Sequence, residues 1–102
     1  MTIHKGNLII RPGDTTDYSS LTAVEGWVVV HEGATFFAPS LTNVKDWVSV
    51  HEGGTFTAHA LTNVEYGVFV YEGGTLDAPS LESAGLVFVY EGGTFSAPNL
   101  KR

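Results

Sequence analysis

The chain has 102 residues, no cysteine, and a net charge of −6 from eleven acidic and five basic residues. That length suits one domain, and without cysteine neither disulfides nor thiolate metal ligands are available. Between Asp46 and Leu100 there is no Lys or Arg, which argues against direct binding of nucleic acid, because phosphate contacts need a basic surface.

In chain order, residues 1–19 come first. This segment has no apolar run of the signal-peptide kind, and nowhere does the chain approach the ~20 apolar residues of a membrane helix. A cytoplasmic protein without membrane contact is expected. The stretch GNLIIRPGDTTDYS, ending at Ser19, matches a degraded copy of the repeat carried by residues 20–98, so residues 1–19 are expected to form an imperfect first coil that caps the rest.

Residues 20–98 are four copies of one repeat. They read SLTAVEGWVVVHEGATFFAP from Ser20, SLTNVKDWVSVHEGGTFTAH from Ser40, ALTNVEYGVFVYEGGTLDAP from Ala60 and SLESAGLVFVYEGGTFSAP from Ser80. The last copy is one residue shorter, with the gap near Gly85. Residues 99–102 begin a further copy and stop, and form the C-terminal end.

Each repeat holds a V-x-V stretch, then Glu-Gly-Gly or a close variant, then T-F-x-A. Alternation at period two predicts strands, and the glycines predict a turn needing positive φ or close backbone approach. One repeat is too short for a helix, a strand and two turns. It fits one coil of an all-β, single-domain β-solenoid of about five coils, with parallel strands stacked about 4.8 Å apart.

Stacking puts equivalent residues in columns. Val28, Val48, Val68 and Val87 are expected to be buried in one column, and Leu21, Leu41, Leu61, Leu81 and Leu100 in another. Asn43 and Asn63 are placed to stack their amides, as in other parallel stacks. Pro39, Pro79 and Pro98 fall at a corner that needs no ladder donor.

The pattern S-L-T-x-V, V-x-V, E-G-G-T-F-x-A-P over residues 20–98 resembles the short leucine-rich β-helical repeats of receptor L-type domains and their bacterial and phage relatives. The resemblance implies a right-handed coil and a scaffold role. In shape and charge the chain also resembles pentapeptide-repeat proteins that mimic DNA, although the pentapeptide motif is absent. In size and charge it resembles small acidic phage proteins that block CRISPR complexes.

Two columns are candidate binding features. Glu32, Glu52, Glu72 and Glu91 occupy one position in four consecutive coils, and stacking like charges is unfavourable by about 0.2–1 kcal/mol per pair. They either keep the protein soluble or present a line of negative charge to a basic partner. The outward face of V-x-V carries Trp27, His31, Trp47, His51, Phe69, Tyr71, Phe88 and Tyr90. An exposed aromatic face of this kind marks a protein interface, and a homodimer through it is expected. His31 and His51 share a column, but two ligands on flat strands do not complete a coordination sphere, and no metal or cofactor is expected. The sequence holds no nucleophile elbow, phosphate loop or HExxH, so a non-enzymatic protein is expected.

The expected function is that of an acidic inhibitor or decoy. It would mimic DNA toward a basic host protein or nucleoprotein complex, as an anti-CRISPR does in the bacterial cytoplasm. The alternative is a structural or adhesive solenoid module that self-associates through its aromatic face. A flat ladder for ice or glycan is disfavoured, because the position two residues after the Thr column is Phe37, Thr57, Asp77 and Ser96.

Overall fold

The computed structural model describes residues 2–14, 17–98 and 100. Fourteen short strands and no helix are found among them. Turn 1 contributes β1 (Thr2–His4) and β2 (Leu8–Ile10), and turn 2 contributes β3 (Leu21–Val24), β4 (Val28–Val30) and β5 (Thr35–Phe37). Turn 3 holds β6 (Asn43–Val44), β7 (Trp47–Val50) and β8 (Thr55–Thr57), and turn 4 holds β9 (Asn63–Val64), β10 (Gly67–Val70) and β11 (Thr75–Asp77). Turn 5 holds β12 (Ser83–Ala84), β13 (Val87–Val89) and β14 (Thr94–Ser96).

Every strand pairs in parallel with its counterpart one turn away, giving three sheets along one stack. The first sheet runs β1-β3-β6-β9-β12, the second β2-β4-β7-β10-β13 and the third β5-β8-β11-β14. The chain is thus an all-β solenoid of about five turns. Most of the C-terminal end expected over residues 99–102 lies outside the described residues, with Leu100 half-buried against the core.

Register follows the repeat. Val28, Val48, Val68 and Val87 are aligned across the second sheet, and Leu8 of turn 1 pairs with Val28. The degraded first copy is therefore a true coil over β1 and β2. The core is built from columns of Val, Leu, Phe and Ala that point inward from all three sheets. Phe36 and Phe56 stack at 4.8 Å inside it, and Asn63 Nδ2 donates to Asn43 Oδ1 at 2.8 Å.

Two expectations of burial need correction. Leu21, Leu41, Leu61 and Leu81 are buried, but Leu100 is only half-buried. Val28, Val48 and Val68 are fully buried, but Val87 is only half-buried. Its column position is as expected, yet no sixth coil lies over turn 5 among the described residues. Burial in a solenoid comes from both neighbouring coils, so the last member of a column keeps one side open.

The shortened fourth copy is accommodated at Gly85. A Cβ there would lie 2.4 Å from the Tyr66 carbonyl oxygen and 2.7 Å from that of Glu65. With one residue fewer, the backbone cuts the corner against the coil beneath, and only glycine leaves room for that.

Candidate functional site

The site begins with the turn after each V-x-V strand. The N–H groups of Ala34, Gly54, Gly74 and Gly93 donate to the carbonyls of His31, His51, Tyr71 and Tyr90 at 2.9, 2.8, 2.8 and 2.8 Å. Each is a four-residue turn whose third residue has positive φ, between 71° and 87° at Gly33, Gly53, Gly73 and Gly92. Such a φ is natural for glycine alone. The glutamate takes the second place of the turn, at the outer corner between the second and third sheets.

Because the turns stack, so do the glutamates. Glu32, Glu52, Glu72 and Glu91 are all exposed and stand one above another. Among the described residues none of the four makes an ion pair; the two pairs present are Lys5 with Glu25 and His59 with Asp77. The column is a strip of uncompensated negative charge.

Beside it runs a second column, formed by the residue that follows each V-x-V strand and opens the turn. His31 and His51 stack at 6.0 Å, His51 and Tyr71 at 4.8 Å, and Tyr71 and Tyr90 at 4.8 Å, with interplanar angles of 17°, 10° and 26°. The rings lie face to face along the solenoid axis, so they turn their edges sideways. Together the two columns wall an open groove of about 630 Å³ along four turns. Burial and the neighbouring charge of His31 both hold the His51 imidazole below its ordinary pKa of 6.5, burial being the larger cause. The Ser49 hydroxyl lies 3.2 Å from His51 Nε2.

The remaining aromatic residues divide into two groups. Trp27 and Trp47 stack at 4.6 Å with rings within 5° of parallel, and Phe69 and Phe88 stack at 5.4 Å. Six of the eight aromatic-face residues are half-buried, because each ring covers the next, while Phe88 and Tyr90 are half-exposed at the last turn. The face is a set of ladders along the axis rather than one uniform patch.

Tyr66 stands outside the alternating V-x-V pattern, yet it belongs here. Its ring lies 5.5 Å from that of Trp47, and with Trp47, Ser49, Phe69 and Tyr71 it lines a recess of about 300 Å³. The available signal is the exchange of Gly-Trp at residues 26–27 for Tyr-Gly at residues 66–67. The ring moves back one position, and Gly67 leaves space that Leu86 of the next turn closes, 3.0 Å from where a Cβ would stand.

Among the described residues, no three His, Cys, Asp or Glu side chains are grouped to hold a metal ion. The arrangement can attract cations electrostatically and pack flat or aliphatic groups against ring edges. No protein-family model matches the chain, and neither a curated protein nor a solved structure matches it. The molecule stands established as a β-solenoid of about five turns.

Proposed function

We propose that this chain is a non-enzymatic binding protein that engages a basic protein surface along its acidic groove, in competition with nucleic acid. The observation that carries the reading is the groove itself, where four unpaired glutamates run parallel to four stacked rings. Lys and Arg side chains suit such a groove. Their charged heads make charge-assisted hydrogen bonds to carboxylates, and their aliphatic stems pack on apolar ring edges.

The spacing supports competition with DNA. Stacked strands set a pitch of about 4.8 Å for the carboxylates, against one phosphate per about 3.4 Å of rise on each strand of a duplex. A flexible set of Lys and Arg side chains tolerates that difference. On this reading the leucine-rich β-helical repeat is the scaffold, and the functional likeness is to the small acidic phage inhibitors of CRISPR complexes. The groove, rather than the repeat, is what favours the decoy over a purely structural module.

The test is capture of partners from bacterial lysate, with and without added duplex DNA, across a salt series. Wild type should retain a nucleic-acid-binding protein that DNA displaces, and retention should fall steeply with salt as charges are screened over about 10 Å at 0.1 M. A chain carrying Glu52→Lys, Glu72→Lys and Glu91→Lys should stay folded and lose that partner. Equal capture by both chains with little salt dependence would end the proposal.

A further inference from the structure

The outward face of the second sheet is a grid of side chains with one place left unfilled. Its middle column runs Ile9, Val29, Ser49, Phe69 and Phe88, one residue per turn. The others are apolar, and turn 3 alone supplies a small polar residue. Phe69 stacks on Phe88 at 5.4 Å, and on its other side the column offers only the Ser49 side chain. Gly67 also leaves a gap on this face, but Leu86 closes over it.

The recess of about 300 Å³ opens at the Ser49 place, with Trp47 and Tyr66 on one side and Tyr71 on the other. Successive turns stand about 4.8 Å apart, so a ring entering at the level of turn 3 meets Phe69 at an ordinary stacking distance. Ser49 is 6% exposed, the one polar side chain buried among the described residues. A hydroxyl has one donor and two acceptor sites, and His51 Nε2 at 3.2 Å engages one of them. An acceptor site remains for an N–H or O–H brought into the recess. A flat apolar body with a donor at its tip fits this description, and among side chains that means Trp or Tyr.

We propose that the recess is an anchor site for a Trp or Tyr side chain of the basic partner, carried on the segment that lays Lys or Arg along the acidic groove. This rests on the reading of the groove as a site for a basic protein surface. Recess and groove are continuous, because Tyr71 walls both. Alternate residues of an extended chain lie about 7 Å apart, which is also the step from the Ser49 column to the ring column. A segment crossing in the strand direction therefore sets an aromatic residue in the recess and a basic residue two positions on, within reach of Glu52 and Glu72. Charge disfavours a second copy of this chain as the occupant, since its own ring column stands beside the same unpaired glutamates. Trp, Tyr and Arg are also the residues that dominate binding energy at protein interfaces.

Isothermal titration at low salt with two short oligolysine peptides tests this, one with a central Trp and one with Ala in its place. Wild type should bind the Trp peptide at least about tenfold more tightly. Ser49→Phe installs the residue of turns 4 and 5 in the unfilled place. It should melt cooperatively, bind the Ala peptide as wild type does, and lose the preference for Trp. Ser49→Val, the residue of turn 2, removes the hydroxyl and should reduce the preference about threefold or more. N-acetyltryptophanamide, the aromatic group without the basic residues, should bind at least about a hundredfold more weakly than the Trp peptide. Equal binding of the two peptides to wild type, or a preference for Trp that survives both substitutions, would overturn the anchor and leave the groove standing. Equal affinity for N-acetyltryptophanamide would overturn it too, making the recess a site for small aromatic molecules. The chain with Glu52→Lys, Glu72→Lys and Glu91→Lys should lose both peptides. If it holds them as wild type does, the groove itself fails, and a wild type that binds neither peptide overturns groove and anchor together.

Discussion

Neutralising one member of the glutamate column should make the protein more stable. Glu72 has Glu52 on one side and Glu91 on the other, whereas Glu32 has a single neighbour in the column. Two unit charges about 4.8 Å apart in water repel by about 0.9 kcal/mol, and screening over a Debye length of about 8 Å at 0.15 M reduces this to about 0.5 kcal/mol. Glu72→Gln removes two such repulsions, about 1 kcal/mol, and Glu32→Gln removes one, about 0.5 kcal/mol. For a domain of this size 1 kcal/mol raises Tm by about 4–8 °C, so Glu72→Gln should gain that much and Glu32→Gln about half. At 1 M salt the Debye length falls to about 3 Å, and both gains should shrink about threefold. Thermal melting followed by circular dichroism at the two salt concentrations measures all four values. Equal gains at the two positions, or gains that persist at 1 M salt, would refute a column of exposed carboxylates in register.

Gly74→Ala places a methyl 2.9 Å from the Val50 carbonyl oxygen and 3.0 Å from that of His51, both backbone atoms, and should lower stability by about 1–3 kcal/mol in urea titration. The same position in turn 2 is already Ala34, so Ala34→Gly should change stability far less. His51 has its pKa lowered by burial and by His31, so between its folded value and 6.5 the unfolded chain binds more protons. Its contribution to stability is complete above about pH 6.5 and is lost as pH falls through the folded value. Tm should therefore decline from pH 7.5 to 5, and His51→Tyr, which installs the residue of turns 4 and 5, should flatten that decline.

The spacing of the repeat is enough to align Val28 with Val48 and Val68, to place Asn43 on Asn63, and to put the four glutamates in one file. Each depends only on a residue's position within its own coil, and that position is written directly in the sequence. The deletion at Gly85 is legible for the same reason. What escaped depends on the coil next door. Val87 has the same sequence context as Val68 but has no coil above it among the described residues. Tyr66 reaches the Trp column because Gly67 vacates a place. The groove arises from two columns lying side by side, a relation across a corner that no alternation pattern encodes.

The parallel ladders also govern how the chain finds its fold. Nearly every strand pair joins residues one coil apart, about twenty positions along the chain. The average separation of partners is then roughly one fifth of the chain length, in the range of domains that fold over milliseconds to seconds. Because no pairing among the described residues skips a coil, the process can nucleate at any adjacent pair and spread in both directions. Turn 3, with two turns on either side among the described residues, is best placed to take part first. Amide exchange should be slowest there and fastest at Val87 and Val89, where the ladder ends.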